Sequence, residues 1–395
     1  MNGKKLLSLL ILQEASKYRT LESLTEFYME NLPLLFEYTI INSTEGDNTV
    51  DLYAPFTDIS KVENQLYTPF TNGKVNIVNE NIVRRGILTG DGKTGMQGYV
   101  SFDTQVISYF HRYYKAQGNS LPKNIQDVIK LLYEKRIGVE YFAYTVENLF
   151  FSTKNISEVR DSICVFERLY YKNKMPKWFC RMRANRVIKS YDKMRKDNVV
   201  GTMRLYDLIY ATLLKMCYIQ LENKSCSLSK KMYKLCDFMA NEMCTMMQPE
   251  LILAKRYFSQ GQNCKFFGKI QKKNANIIAD IKNMAWDLFH LRMLEIGCTI
   301  KMNPKADVNI PYFCTYDQRL LDIKDCYELC SLAINYRTGE KVPFYSNIKE
   351  IVDYLDKYGT EEQFVARVSK CHSIDIKEIV EKLEKEMELK IVDNC

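Results

Sequence analysis

Residues 98–114 read GYVSFDTQVISYFHRYY, an apolar run that ends on Asp103 and continues as an amphipathic pattern without a proline or a glycine pause. The change of period predicts a buried strand that passes directly into a helix. Open α/β sheets bind ligands in the crevice at the C-terminal ends of their parallel strands. Asp103 is therefore a candidate ligand, although an Asp at a strand-to-helix junction is also a common helix N-cap.

A second stretch repeats this pattern. Residues 309–323 read NIPYFCTYDQRLLDI, in which a short apolar strand is followed by Thr315, by Asp317 and then by a helical pattern. Because the C-terminal ends of parallel strands meet at one edge of a sheet, we expect Asp103 and Asp317 to converge there. For Asp317 too, the alternative is a helix N-cap.

Two further acids lie on predicted helices. Glu147 belongs to the aromatic stretch VEYFAYTVENLFF. Four carboxylates that converge repel one another unless a divalent cation neutralises them, and Mg²⁺ or Mn²⁺ prefers oxygen ligands. Taken alone, the other helix acid, Asp287, could lie on a solvated face, and Glu147 could be a paired surface acid. Asp287 belongs to the stretch NIIADIKNMAWDLFHLRMLE. Helical spacing there places four polar residues on one face, namely Asp280, Asn283, Asp287 and His290.

These stretches resemble the PIN-domain family of nucleases. SFDTQVISYF is similar to the first strand of that family, and FCTYDQRLLDI is similar to its last strand with a Thr-x-Asp signature. YTVENLFF and NMAWDLFHLRMLE resemble the helices that carry the second and third acids. The resemblance covers roughly residues 96–335. The matching positions in this chain are Asp103 with Thr104, Glu147, Asp287, and Thr315 with Asp317.

The resemblance implies a PIN-like parallel-sheet α/β core, an acid cluster that binds Mg²⁺ or Mn²⁺, and hydrolysis of phosphodiester bonds, usually in RNA. A bound divalent ion would hold the scissile phosphate and lower the pKa of a water ligand, so no catalytic histidine or cysteine is required. The catalytic and metal-binding residues so implied are Asp103, Glu147, Asp287 and Asp317, with Thr315 and Asn283 orienting ligands or the phosphate.

The chain departs from the family in its spacing. From Glu147 to Asp287 it advances by 140 residues, so a large helical insertion at about 155–275 is required. Apolar residues at three- and four-residue spacing support helices there. The weaker matches leave three alternatives to Glu147 and Asp287, namely Glu140, Asp207 and Asp280.

Positive charge is concentrated in one segment. Residues 168–196 hold eleven basic residues and one acid, a local charge of +10, whereas the whole chain carries +8. Cations beside aromatic rings are typical of surfaces that bind single-stranded nucleic acid, although a solvated helix face has the same composition. A second patch, KFFGKIQKKN at 265–274, adds lysines and two rings. The nucleic-acid-binding residues that we predict are Lys172, Lys174, Lys177, Trp178, Arg181, Arg183 and Arg186.

The remaining sequence features concern domain boundaries, membrane spans, cysteines and nucleotide-binding motifs. We expect an accessory N-terminal region at 1–95, the PIN-like domain at 96–335 and a C-terminal helical region at 336–395. No run approaches the roughly 18 apolar residues of a membrane span. The 13 cysteines include no CxxC pair, which is typical of reduced thiols in a cytoplasmic protein. GILTGDGKTG is not a Walker A loop, because Ile87 stands where its first glycine is required.

Together these features predict a cytoplasmic, Mg²⁺- or Mn²⁺-dependent nuclease that cuts single-stranded RNA, as a toxin, a defence protein or an RNA-processing factor. The alternative is a non-catalytic nucleic-acid-binding protein with a degenerate acid cluster. A third class is a scaffold that acts through its terminal helices. The last helix, predicted at DIKEIVEKLEKEMELK, could pack on the body of the protein or on a second copy in a homo-oligomer.

Overall fold

Two five-stranded sheets and a large set of helices form the part of the chain that the structure describes. This computed structural model describes residues 3–46, 49–53, 66–89, 95–115, 123–150, 156–172, 174–197, 199–223, 225–271, 273–303, 306–371 and 373–392. The strands are β1 (Tyr38–Ser43), β2 (Val50–Asp51), β3 (Leu66–Tyr67), β4 (Lys74–Val78), β5 (Met96–Phe102), β6 (Gly138–Glu140), β7 (Thr299–Asn303), β8 (Ala306–Cys314), β9 (Leu329–Asn335) and β10 (Lys341–Tyr345). The helices are α1 (Gly3–Ala15), α2 (Leu21–Glu30), α3 (Leu32–Leu35), α4 (Glu80–Thr89), α5 (Thr104–Lys115), α6 (Lys123–Glu134), α7 (Phe142–Phe150), α8 (Ile156–Tyr170), α9 (Lys177–Asp197), α10 (Val199–Glu222), α11 (Leu228–Asp237), α12 (Gln248–Gln260), α13 (Ile277–Gly297), α14 (Gln318–Leu321), α15 (Val352–Leu355), α16 (Glu361–Cys371) and α17 (Ile376–Val392).

The first sheet, which we call the mixed sheet, has the strand order β3-β8-β5-β6, with β7 also paired to β8. β5 pairs in parallel with β6 on one side and with β8 on the other. Its register with β8 runs from Met96 opposite Val308 to Phe102 opposite Cys314. β5, β6 and β8 therefore end at the same edge of the sheet, and the predicted α/β class with a parallel section is confirmed.

Helices connect these parallel strands. β5 is followed without a gap by α5, as the change of period at Asp103 predicted, and α5 and α6 lead to β6. The path from β6 to β8 runs through α7 to α13 and β7, and the predicted helical stretch corresponds to α8 to α12. The aromatic rings of Phe102, Phe110 and Phe166 pack edge to face or tilted, with centroids 4.7–6.1 Å apart, and join β5, α5 and α8.

The second sheet is antiparallel and has the order β10-β9-β1-β4-β2. β1 pairs with β9, so that Tyr38 lies opposite Asn335. Leu12, Leu24 and Tyr28 of α1 and α2 pack against this sheet in a core of their own. The strand pairing joins residues from all three regions that the sequence predicted, across the boundaries placed at 95 and 335.

The terminal helices pack on the body of the protein. Ile376, Leu383 and Met387 form the apolar face of α17, and each is at least 97% buried. The Tyr210 hydroxyl of α10 donates to Glu384 Oε1 at 2.6 Å. The apolar face of α17 is therefore covered by the same chain, and a homo-oligomer stays a prediction. Among the helices described, none has both the length and the apolar character that crossing a membrane requires.

Gly98 allows a close approach within the mixed sheet. The ring of Tyr312 from β8 lies across Gly98, and a methyl group there would be 2.5 Å from Tyr312 Cε2. Tyr312 is fully buried and its hydroxyl donates to the carbonyl of Leu52. The ring has no room to move away, so only glycine fits this position on β5.

We expect Gly98→Ala to lower the free energy of unfolding by about 1–3 kcal/mol, because the added methyl overpacks the sheet. Urea unfolding at neutral pH measures this change. The matched control is Gly201→Ala in α10, where the methyl meets nothing within 4 Å. That variant should be as stable as the parent or more stable by up to about 1 kcal/mol. A neutral Gly98→Ala would contradict the packing described for Tyr312.

Candidate functional site

Asp103 and Thr315 directly follow two strand ends that are in register. Phe102 lies opposite Cys314, and the Asp103 amide donates to the Cys314 carbonyl at 3.1 Å. The Thr315 hydroxyl donates to Asp103 Oδ2 at 2.8 Å, and both side chains are buried. Burial raises the pKa of Asp103, while the hydrogen bonds from Thr315 and from the Gln105 amide act to lower it. The parallel register therefore positions this carboxylate at the edge of the sheet.

Asp317 is the N-cap of α14 and is bound by an arginine of the same turn. Its carboxylate accepts hydrogen bonds from the Arg319 amide at 2.9 Å, from Nε at 3.1 Å and from Nη2 at 2.6 Å. The Asp317 amide donates to the Thr315 hydroxyl at 3.1 Å. Burial acts to raise the pKa of Asp317, but the bonds from Arg319 bring it below its ordinary value. Asp317 is therefore ionised at neutral pH, and it has the capping role that the sequence offered as an alternative.

Glu147 reaches the same edge from α7. Its Oε2 accepts a hydrogen bond from the hydroxyl of Thr104, the residue that follows Asp103. His290 Nε2 lies 3.7 Å from the same oxygen. His290 is buried on α13, three residues after Asp287. Glu147 therefore connects the start of α5 with the helix that bears the fourth acid.

Asp287 lies within the electric field of the other three acids. Burial raises the pKa of Asp287 well above its usual range. The negative charges of Asp103, Asp317 and Glu147 raise this pKa further, whereas the positive charge of Arg319 opposes them. We call Asp103, Glu147, Asp287 and Asp317 the acid cluster. These four predicted acids come from four different elements, and the charges of three of them act on the fourth.

The acid cluster offers oxygen ligands, which suit Mg²⁺ or Mn²⁺. In the parts of the chain that the structure describes, no three acidic, histidine or cysteine side chains are close enough together to hold one metal ion. Mg²⁺ usually keeps several water ligands and takes one or two carboxylates. The mutual repulsion at Asp287 also favours a cation. The donor atoms are of the kind that these ions prefer, but the described side chains form no three-ligand site, so a bound divalent ion stays a prediction.

Asp280 and Asn283 share α13 with Asp287 but have different surroundings. The Asp280 carboxylate lies 3.5 Å from the Lys269 ammonium and accepts a hydrogen bond from Asn274 at 2.8 Å. Asn283 is exposed. The charge of Asp280 is therefore balanced by a lysine and an amide that do not belong to the acid cluster.

The other two alternatives also have neighbours of their own. Glu140 ends β6, accepts a hydrogen bond from Ser101 at 3.3 Å and lines a pocket beside α9. Asp207 lies on α10, where burial raises its pKa to about 6. Lys377 lowers this pKa and Asp375 raises it, so Asp207 interacts with the C-terminal region.

One group of exposed residues of the basic segment lies at the junction of α8 and α9, and we call it the basic stripe. The Trp178 side chain is 67% exposed. Tyr170 is the last residue of α8, and its hydroxyl donates to the Ile137 carbonyl at 2.8 Å. Ile137 directly precedes β6. The stripe therefore lies beside the start of β6, whereas the acid cluster lies beyond the strand ends. The members of the stripe are Lys172, Lys174, Lys177, Trp178 and Arg181, all exposed.

The last two predicted cations have different roles. Arg183 Nε donates to Glu167 Oε2 at 2.6 Å, and Glu167 is 2% exposed. Glu167 also accepts a hydrogen bond from the Tyr141 hydroxyl at 2.9 Å. Arg183 therefore neutralises a buried acid and supports the fold, whereas Arg186 is exposed at the wall of the pocket beside Glu140.

The second basic patch has its rings inside the protein. Phe266 and Phe267 are buried, and Phe267 stacks on Tyr257 with ring centroids 3.8 Å apart. Lys265 lies 3.5 Å from a carboxylate oxygen of Asp322. These rings fill the core and cannot stack on bases, so the patch offers only its lysines to a nucleic acid.

Sequence reasoning missed the partners of the acids. Arg319 stands two residues after Asp317, and this Asp-x-Arg spacing was visible but was not interpreted. His290 was placed on the correct helix face, yet its contact with Glu147 depends on how α7 and α13 pack. Thr104 was named only through the family resemblance.

Comparisons of the chain with protein-family models, with curated proteins and with solved structures found no match. The resemblance to PIN-domain nucleases therefore depends on the residues of this chain alone. It stays a prediction, as do the cofactor and the substrate that it implies.

We expect Asp287→Asn to raise the free energy of unfolding in metal-free buffer by about 1–2 kcal/mol, because it removes one charge from a repelling group. Denaturant unfolding with EDTA at pH 7.5 measures this. The matched control is Asp280→Asn on the same helix, which removes an acid that Lys269 balances. The control should be neutral or slightly destabilising. Equal effects of the two substitutions would show that Asp287 does not experience the other acids.

Proposed function

We propose that this protein is a metal-dependent nuclease that hydrolyses phosphodiester bonds in single-stranded RNA. The observation that carries the proposal is the acid cluster: four carboxylates, predicted from four separate stretches, act on one another at the edge where parallel strands end. Arg319 offsets this negative charge only in part, and perturbed carboxyl groups are concentrated at functional sites.

The acids would hold Mg²⁺ or Mn²⁺, which supplies a water of lowered pKa and a positive charge beside the scissile phosphate. Thr315 keeps the Asp103 carboxylate oriented through a hydrogen bond of 2.8 Å. Arg319 does the same for Asp317 and places a guanidinium near the cluster, where a phosphate oxygen is a suitable partner. Glu147 is held by Thr104. Three of the four acids, Asp103, Glu147 and Asp317, thus have a positioning contact of their own.

The basic stripe supports a single-stranded substrate. Its exposed cations can neutralise phosphates, and the exposed ring of Trp178 can stack on an unpaired base. A duplex hides the faces of its bases, so this ring gains more from a single strand. α9 begins at the stripe and its middle lines the pocket beside Glu140 and Thr145, and we expect the strand to lie along this helix.

A second candidate is a nucleic-acid-binding protein that does not cleave. Two observations favour it: no metal-holding group of three side chains is formed within the described residues, and Arg319 already neutralises Asp317. This candidate predicts that Mn²⁺ changes neither the melting temperature nor the RNA. The nuclease predicts that Mn²⁺ raises the melting temperature by neutralising the cluster.

We expect Asp103→Asn and Asp317→Asn each to lower Mn²⁺-dependent cleavage of a labelled single-stranded RNA by about 10²-fold or more. Asn keeps the shape and the capping ability of Asp, so a capping role alone would leave the rate nearly unchanged. Circular dichroism and thermal melts establish that the variants fold.

The control for this experiment is Asp280→Asn, which should cleave like the parent because Asp280 is paired with Lys269. Full activity in both Asp103→Asn and Asp317→Asn would remove the acid cluster from the mechanism. Cleavage in EDTA, with no added metal, would contradict the proposed metal dependence.

We expect the triple variant Lys174→Ala, Lys177→Ala, Arg181→Ala to bind single-stranded RNA more weakly. The slope of log K against log salt should fall by about 2, since each lost phosphate contact removes about 0.7. Fluorescence anisotropy of a labelled oligonucleotide at several salt concentrations measures both quantities in EDTA, so that cleavage does not interfere.

The matched control removes the same charge elsewhere, at the exposed residues Lys230, Lys349 and Lys370. This second triple variant should keep the parent's slope. If the two triple variants behave alike, the net charge of the protein, and not the basic stripe, determines the affinity.

A further inference from the structure

A pocket of about 350 Å³ lies beside the edge strand of the mixed sheet. Its floor is the end of β6 with Glu140 and Tyr141, and one wall is the middle of α9 with Arg186 and Tyr191. Thr145 from α7 forms another part of the wall. A volume of this size is at the lower end of the range for small-molecule sites.

Thr145 indicates that the pocket binds something polar. Its side chain is 1% exposed, and its hydroxyl has no hydrogen-bond partner among the described residues. Buried hydroxyls are nearly always bonded, because leaving one unsatisfied costs about 1–3 kcal/mol. Thr145 lines the pocket, so a ligand that enters the pocket lies beside this unsatisfied group.

Arg186 gives the pocket a cation that the fold does not use. The neighbouring Arg183 is held by the buried Glu167 at 2.6 Å, but Arg186 has no carboxylate partner within the part of the chain that the structure describes. The first turn of α7 begins directly after Tyr141, and a helix N-terminus favours negative charge. Both features attract an anionic group such as a phosphate.

The remaining lining suits a nucleobase. Val139 and Val187 offer an apolar surface, and the ring of Tyr191 is 4% exposed. The Glu140 carboxylate has several acceptor positions, so besides its contact with Ser101 it can accept N–H groups from a base edge. Guanine presents two adjacent N–H donors on such an edge.

We propose that this pocket binds one nucleotide, with its phosphate at Arg186 and its base between the apolar wall and Glu140, within reach of Thr145. Under the proposed nuclease function, on which this step rests, the pocket is a subsite for a nucleotide of the RNA strand. α7 supports this placement. Thr145 and Glu147 are two residues apart and therefore lie on opposite sides of the helix, one at the pocket and one in the acid cluster.

The test is calorimetric titration of the full chain in EDTA with guanosine 5′-monophosphate, with guanosine and with inorganic phosphate. We expect the nucleotide to bind at least tenfold more tightly than either part. Arg186→Met should weaken nucleotide binding at least tenfold. The matched control, Lys189→Met, removes another exposed charge of α9 and should have no effect.

Thr145→Val distinguishes a ligand role from a structural one. If the hydroxyl is reserved for the ligand, the variant should be as stable as the parent or more so, while it binds the nucleotide several-fold more weakly. No binding by the parent, equal binding of phosphate and nucleotide, or binding that both variants retain would overturn the proposal.

The experiment also separates this proposal from the nuclease. Binding is measured without metal and without cleavage, so an inactive protein can still bind the nucleotide and an active nuclease can fail to bind it. If both hold, Arg186→Met should raise KM for single-stranded RNA with little change in kcat, because Arg186 binds the strand and not the reacting phosphate.

Discussion

The parallel pairing of β5 with β8 is the constraint on which the rest of this structure depends. It sets Phe102 opposite Cys314, so that Asp103 and Thr315 leave the sheet side by side and form a buried hydrogen bond between residues 212 positions apart. A one-residue shift of this register would turn every side chain of β5 to the other face. The ring of Tyr312 over Gly98 opposes such a shift.

The pairing of β5 with β8 also determines where the helices between the two strands lie. The path from β6 to β8 brings α7 and α13 back to the edge where the strands end, and with them Glu147 and Asp287. The result is a group of acids in which the ionised form of Asp287 opposes folding, because burial and the charges of the other three acids raise its pKa and Arg319 offsets them only in part. A protein whose core is otherwise well packed breaks local folding rules mainly at its functional sites. The four acids as a group therefore support the proposed function more strongly than any single acid does.

The sequence by itself determined the local elements of this protein. The junction at Asp103, the strand that precedes Thr315 and the helix that bears Asp287 follow from the period of apolar residues, which depends only on neighbours along the chain. The local charge of the basic segment is also a property of sequence. For the same reason, the sequence is sufficient to name the four acids, whereas their effects on one another depend on the fold.

Only the tertiary structure decided which of these residues act together. Strand pairing between β1 and β9 crosses the predicted domain boundaries, because the energy of a sheet comes from partners that are distant in sequence. Burial separates Trp178, which is exposed, from Phe266, which belongs to the core, although both accompany lysines. Likewise Arg183 and Arg186 are three residues apart, and the position of Glu167 makes Arg183 part of a structural ion pair, whereas Arg186 is exposed at the pocket. Contacts and burial depend on packing in three dimensions, and the period of a sequence does not contain that information.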